Sequence, residues 1–525
     1  MRTKGIGSIL FKQARKTPDI EAIRCGDQSI SYNELNDKAL SIATVIAKSG
    51  LKNQTIGIVG KRNFSVYMGI LGSIYAGCSY TPINPNHDKS RIANVINECS
   101  IQLVIGCLDD LSKIHNIINE NSLIIIMPNE KTPYSGFHGK SFGKESIDTI
   151  KQNSSPIEVD KNSIIYILYT SGSTGRPKGV KVTYQNVLSF LKNMNQIYSL
   201  PQGFRSSHTF DLSFDLSVCD MFFTWSNSGT LCVLPEEEKL MPSEYIRREK
   251  ISFWYSVPTL ASFMDRFNVL EYDAFPSLKY SLFCGEPLPH ELAVKWSNAA
   301  LNSTVENVYG PTEATIHLTR RVYSKDDLNR VFTNGIMPIG KPFSDHEIEI
   351  INRDGNKVSY GDTGEIVLKG PQITQGYLND VEKTKSAFVH FDWDSSESKW
   401  YKSGDFGFYN TDGDLECLGR KDNQIKIGGQ RIEIGEIEGV LRNYELLNDV
   451  VIVPVKNSDS STKTLVGFIT TSLSEKEEQK IRLDSQQFLE RIFFPRKFVE
   501  VKAFPTSDSG KVDKKQLLSI FHSIS

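Results

Sequence analysis

The sequence predicts an α/β protein, and three observations carry that expectation. Short apolar, β-branched runs alternate with longer helix-like stretches, as in largely parallel sheets covered by helices. From about residue 335 the runs shorten and turn-forming clusters separate them. Beyond the polar stretch GRKDN at 419–423 the chain becomes a compact α+β tail. The expected architecture is a large N-terminal domain of two α/β subdomains plus a small β-barrel, followed by a mobile α+β C-terminal domain.

In chain order, SYNELNDKALSIATVIAKSG (31–50) and SVYMGILGSIYAGC (65–78) read as helices. IGIVG (56–60), LVIG (103–106), LIIIM (123–127) and IIYILYT (164–170) are buried strands. HEIEII, GEIVLKG and GDLECLG, separated by NRDGN, YGDTG and NTDGD, suit a small antiparallel barrel or sheet. The tail reads as a helix IEIGEIEGVLRNY, strands NDVVIVPVK and TLVGFITT, and a helix near 485–492. Domains of 1–421 and 422–525 follow, joined by a boundary short enough to act as a hinge rather than a tether.

Composition excludes several classes. The 525 residues correspond to three or four compact units at about 150 residues each. Sixty Lys+Arg against 62 Asp+Glu leave a net charge of −2, which argues against a nucleic-acid partner bound through bulk positive charge. A hydrophobic content of 39% with 23% charged residues excludes wholesale disorder. The eight cysteines are scattered, with no CxxC pair or Cys/His cluster, as expected of buried reduced thiols. The N-terminus has no apolar signal core, and the longest apolar runs fall far short of the ~20 residues of a membrane span. A cytoplasmic protein without membrane insertion is expected.

The strongest chemical signal is YTSGSTGRPKGV at 169–180, directly after an apolar strand. Glycines let backbone N–H groups approach an oxyanion, hydroxyls add donors and Lys178 adds charge. The spacing is not that of a P-loop, because the lysine is followed by Gly179 and a strand-like VKVTY instead of a helix. Composition alone would allow a flexible hairpin turn.

TSGSTGRPKG resembles the signature of the adenylate-forming enzymes, which include acyl- and aryl-CoA ligases, luciferases and amino-acid adenylation domains. Further motifs of that superfamily follow in order: SYNEL, LGSIYAGCSYTPINP, FDLSV, NVYGPTEAT, GEIVLKGPQITQGYL, YKSGDFG, GRKDNQIKIGGQRIEIGEIE and SGKVDKKQL. The match spans essentially the whole chain. It implies ATP and Mg²⁺, with nucleotide contacts from Thr170, Ser171, Gly172, Ser173, Thr174, Gly175, Lys178, Asn307, Tyr309, Gly310, Thr312, Asp405, Arg420 and Lys511. Tyr309 beside Asn307 suits stacking on adenine and reading its edge. Asp405 and Arg420 suit the ribose, and Glu313 with Thr174 the metal ion. Lys511 resembles the family lysine that bridges the substrate carboxylate and the α-phosphate; with Thr174 and Glu313 it forms the implied catalytic set. Asp422 matches the family hinge, and Lys426 and Gly429 the face presented for thioester formation. Two departures stand out: Ser509 replaces the usual Asn before Gly-Lys, and Tyr184 stands where many relatives carry a His.

Asp215 decides the subclass, because the matching aspartate of amino-acid adenylation domains pairs with the substrate's α-ammonium. A buried Asp beside an apolar run is costly unless it meets a cation or hydrogen-bond donors; the alternative is a cap on the next helix. The remaining pocket would comprise Leu216, Cys219, Tyr255, Leu282, Cys284, Gly285, Val308, Ile316 and His317. SLFCGEPLP, FDLSV and NVYGPTEAT are especially similar to D-alanine–D-alanyl carrier protein ligases, which favours D-alanine. Tyr255 either fills space, leaving room for glycine or alanine, or joins His317 in hydrogen-bonding a serine or threonine side chain. The expected partners are an amino-acid substrate and a separate phosphopantetheinylated carrier protein. No carrier or condensation motif is found, so a freestanding enzyme is expected. The rival readings are an acyl- or aryl-CoA ligase and a non-catalytic adenylate-binding module.

Overall fold

A computed structural model describes residues 2–3, 5–131, 136–150, 155–170, 177–420, 424–427, 430–447, 450–456, 463–486, 488–505 and 512–524. Two large sheets organise the first 342 residues. The first has seven strands in the order 178–183, 164–170, 79–83, 55–59, 103–106, 124–127, 141–143. All neighbours are parallel except 178–183, which folds back antiparallel on 164–170. The β-branched runs explain the choice. Ile165, Tyr166, Ile167 and Leu168 of Ile164–Thr170 are all buried, and fully burying an Ile or Leu side chain contributes ~1.5–3 kcal/mol.

The second sheet has nine strands, ordered 341–342, 319–322, 304–309, 280–283, 253–256, 205–208, 230–233, 21–25, 28–31. Its six central strands are parallel. From 205–208 the chain steps one way to 230–233 and then back past it to 253–256, so the winding direction reverses at 205–208. Ligands of open α/β sheets bind outside the carboxyl ends of strands at such a reversal. The helices over the sheets are locally specified as well. Tyr32–Lys48 starts from a reciprocal Ser31/Glu34 capping box, and Tyr184–Ile197 from Thr183 and Asn186.

A third sheet, where a small barrel was expected, has five antiparallel strands. Its ten-residue strand Trp400–Tyr409 pairs with Gly364–Lys369, Phe388–Val389 and Leu415–Arg420. Beyond it lie the hairpin 424–427/430–433 and a three-stranded sheet of 450–456, 463–469 and 497–500. Buried side chains from Ile425 onward pack in two clusters of their own.

One expected element is displaced. The helix read near 485–492 lies at Glu475–Ser485, started by a Ser474/Glu477 capping box. EKEEQKIRLDS carries little apolar periodicity, so the cap rather than an apolar stripe fixes its place, whereas Phe493 and Phe494 fill a core. All eight cysteines are free thiols, five of them buried. Among the described residues, no helix is long and apolar enough to cross a membrane.

Candidate functional site

The carboxyl ends of four neighbouring parallel strands converge on one region. Strand 205–208 leads to Asp215, strand 253–256 carries Tyr255, strand 280–283 leads to Cys284 and Gly285, and strand 304–309 carries Asn307, Val308 and Tyr309. Strand 304–309 is anchored by the fully buried Glu306, which accepts two bonds from Arg320 (2.9 and 2.6 Å) and one from the Tyr198 hydroxyl (2.8 Å). That bidentate geometry holds the strand rigidly.

Among the residues expected to contact the nucleotide, the Tyr309 hydroxyl donates to Asp405 Oδ2 at 2.5 Å, linking the second sheet to the third. Burial and the neighbouring Asp405 carboxylate push the phenol well above its usual range. Arg420 lies opposite Asp405 in the strand register; it donates to the Ser403 carbonyl at 2.9 Å and to Asp405 Oδ1 at 3.4 Å. Gly404 is left-handed (φ +74°), and a Cβ there would meet the Arg420 guanidinium at 2.4 Å. The Asn307 amide N–H₂ is consumed by the carbonyls of Met337 and Pro338, at 2.9 and 3.0 Å. Its carbonyl oxygen is the group left to accept from an adenine amino group.

Glu313 is fully buried in the short 3₁₀ turn 312–314 that Thr312 opens. Its Oε1 lies 3.1 Å from Lys178 Nζ and accepts from the Tyr377 hydroxyl at 2.8 Å; Lys178 also donates to that hydroxyl at 2.9 Å. The sequence reading did not single out Tyr377, although it lies within the quoted GEIVLKGPQITQGYL. The Thr170 hydroxyl, just before 171–175 in sequence, is buried without a hydrogen-bond partner among the described residues. Such orphaned donors suit phosphate oxygens. Mg²⁺ is usually held by one or two carboxylates together with substrate phosphates, and Glu313 is a carboxylate of that kind. Ser171, Gly172, Ser173, Thr174, Gly175, Asp422, Gly429 and Lys511 lie outside the described residues. Lys426 is described only as backbone, paired with Arg431 in the hairpin.

Among the residues expected to line the amino-acid pocket, Asp215 occupies the N-cap position of helix Leu216–Ser226 but makes no side-chain cap bond. Its Oδ2 instead accepts the Ile316 N–H at 3.1 Å. The loop that presents this N–H is unusual. Thr315 (φ +56°) and Ile316 (φ +75°) are consecutive left-handed β-branched residues, a conformation costing about 1–3 kcal/mol each. Gln372, a second residue the sequence reading missed, holds the loop by donating to the carbonyls of Ala314, Thr315 and His317. Gly310 must be glycine here, because a Cβ would lie 2.5 Å from the His317 Cα.

Leu216, Cys219, Tyr255, Leu282, Cys284, Val308, Ile316 and His317 are all buried. Tyr255 and Leu282 are neighbours in the parallel register. The Tyr255 hydroxyl bonds His317 Nδ1 at 2.9 Å and also the Cys284 thiol. His317 stands edge-on to Phe190 and Phe343, and burial, with Arg320 adding to it, pulls its pKa down to about 3. The imidazole is therefore neutral. Cys219 is pushed well above the usual thiol range by burial, with Asp220, Cys284 and Asp215 nearby. Tyr184 is fully buried and starts helix 184–197, and a Cβ on Gly5 would touch its ring. It is a packing residue.

Comparison with known proteins shows the family. The family described as "AMP-binding enzyme" matches residues 10–378. A D-alanine–D-alanyl carrier protein ligase of Bacillus cytotoxicus is 31% identical over 97% of this chain and 98% of that protein. Zwittermicin A synthase ZmaJ of Bacillus cereus is 29% identical, covering 98% of this chain and 94% of its own. The crystal structure of the Vibrio cholerae adenylation domain AlmE with glycyl-adenosine-5'-phosphate superposes with a TM-score of 0.85 at 28% identity, over 100% of this chain and 98% of that one.

Proposed function

The chain belongs to the AMP-binding enzyme family and is an AMP-forming ligase; we propose that it activates a small amino acid, D-alanine first and glycine next, and transfers it to the phosphopantetheine thiol of a separate carrier protein. The choice of side chain rests on one observation. The Tyr255 hydroxyl is already engaged by His317 and Cys284, which favours its acting as a space-filling wall over its binding a serine or threonine side chain. The relatives named as D-alanyl carrier protein ligases, and the structure that holds glycyl-adenylate, support the same size class.

In the first half-reaction the amino-acid carboxylate attacks the α-phosphorus of ATP, the bond to the bridging oxygen breaks, and pyrophosphate leaves. Asp215, fixed by the Ile316 N–H, receives the α-ammonium. Tyr309 and the Asn307 carbonyl bind adenine, Asp405 and Arg420 the ribose, and Thr170, Lys178 and the loop 171–175 the phosphates. Glu313 and Thr174 would hold Mg²⁺, which neutralises phosphate charge. Lys511 orients the two anions. In the second half-reaction the unit 422–525 re-docks about Asp422, withdrawing Lys511 and presenting Lys426 and Gly429. The carrier thiol then attacks the acyl carbon, AMP leaves with the bonding pair, and the thiol proton passes to solvent.

The test is ATP–pyrophosphate exchange against D- and L-amino acids, fatty acids and aryl acids. Exchange with D-alanine or glycine is expected. Exchange confined to fatty or aryl acids would overturn the assignment to Asp215.

A further inference from the structure

A second cluster of buried titratable groups lies at the same strand reversal, outside the contacts described so far. His208, the last residue of strand 205–208, and Asp220, in helix 216–226, are both fully buried, with His208 Nδ1 2.9 Å from Asp220 Oδ2. The Asp220 carboxyl also accepts the Thr209 N–H, and the Thr209 hydroxyl donates to the Tyr255 carbonyl at 2.7 Å. From the first sheet, Arg62 donates to the His208 carbonyl at 2.9 Å and to Glu236 at 2.9 Å, while Tyr67 packs edge-on against the imidazole.

The topology gives this cluster its meaning. Strand 205–208 and helix 216–226 flank Asp215, and the segment between them is the loop 209–214. Asp220 sits five residues past Asp215 and ties the helix back to the end of the strand. Asp215 itself makes no side-chain cap bond to its helix. Its carboxylate is fixed from one side by the Ile316 N–H, and the other side depends on the placement of helix 216–226.

We propose that the His208–Asp220 pair is a positioning clamp that holds the strand and helix on either side of Asp215 and so places its carboxylate for the substrate ammonium. The inference rests on the reading of Asp215 given above. The clamp works by shape and hydrogen bonding. Burial pulls the imidazole well below its usual range, with Arg62 adding to that, and burial pushes the carboxyl well above its own. The pair is thus a neutral acid against a neutral imidazole, not an ion pair. His208 Nε2, Asp220 Oδ1 and the Tyr67 hydroxyl remain without hydrogen-bond partners among the described residues. A fold tolerates such costly burial most readily where it fixes geometry that function needs.

A neutral clamp makes an unusual prediction. Asp220→Asn keeps the shape and a hydrogen bond to the imidazole, and so stays near native. Asp220→Ala, which removes the tie, raises the KM for D-alanine or glycine by about tenfold or more while the KM for ATP moves less than about twofold, because sub-ångström misplacement of a binding group is costly. His208→Asn and His208→Ala repeat the comparison from the other partner should an Asp220 variant not fold. Amide hydrogen exchange over 209–217 gives a readout independent of substrate, with protection lost in Asp220→Ala and kept in Asp220→Asn. The proposal is overturned if Asp220→Ala leaves both the amino-acid KM and the exchange unchanged, if it raises both KM values alike, or if Asp220→Asn is as damaging as Asp220→Ala. Asp215→Asn run in parallel separates the two claims. An inert Asp215→Asn defeats the functional reading, whereas a damaging Asp215→Asn beside a native-like Asp220→Ala defeats only the clamp.

Discussion

The two halves of the proposed site, one for the nucleotide and one for the amino acid, are built from opposite materials. The nucleotide half is a set of charged, long-range pairs that cross between sheets: Tyr309 with Asp405 and Arg420, and Lys178 with Glu313 and Tyr377. The amino-acid half is buried and nearly uncharged, with one carboxylate, Asp215, among Cys219, Leu282, Val308 and a neutral Tyr255–His317 pair. The difference separates two tasks. Phosphate chemistry needs placed charge that acts on every substrate alike, whereas selecting one small amino acid needs a rigid wall and a single ion for the ammonium.

The largest expected effect tests the nucleotide half. Glu313→Gln removes a buried charge beside Lys178 and should lower exchange with every acid by about 10²–10³, as loss of a preorganised electrostatic contact does. A drop confined to one amino acid would erase the contrast. Next comes Asp215→Asn, which should raise the amino-acid KM and leave the ATP KM in place. Losing one partner of a buried charge pair costs ~2–4 kcal/mol, about thirty- to a thousand-fold.

Tyr255→Phe is a smaller perturbation. It leaves His317 Nδ1 without the phenol and should lower stability by ~1–3 kcal/mol, read by urea unfolding. Preference for small side chains should persist, and a new preference for serine would contradict the filled-wall role.

The smallest effect distinguishes two buried histidines by pH. His317, neutral in the fold down to about pH 3, binds a proton on unfolding below its ordinary 6.5. Its contribution is complete above pH 6.5 and declines as pH falls toward 3, by up to ~1.4 kcal/mol per pH unit. The His208–Asp220 pair differs. Folded, it holds one proton on the acid; unfolded between about pH 4 and 6.5, it holds one on the imidazole, so the counts cancel. Unfolding between pH 7 and 5 should therefore show a shallower slope in His317→Asn and a steeper slope in Asp220→Asn, where the folded pair no longer carries the acid's proton that offsets the one His208 binds on unfolding.

Much of this was legible in the sequence, for local reasons. IIYILYT and LVIG form strands at the residues read, because β-branched runs of that length admit few alternatives. Asp215, Glu313 and Asp405 stand out by motif. So do Lys178, Tyr309 and Arg420, which pair with two of them; other partners do not. The Ile316 N–H depends on two left-handed β-branched residues that propensity disfavours, and Gln372 and Tyr377 act across more than fifty residues of sequence. The helix at 475–485 was misplaced because its signal is a cap and not a stripe. The His208–Asp220 pair looks like two unrelated polar residues until strand and helix are brought together.

One measurement addresses the role of Asp215 most directly: exchange with D-alanine, glycine and propionate, the last being alanine without its amino group. The native enzyme should turn over D-alanine or glycine and ignore propionate, and Asp215→Asn should lose most of that discrimination. Propionate exchanging as well as the amino acids in the native enzyme would contradict the account.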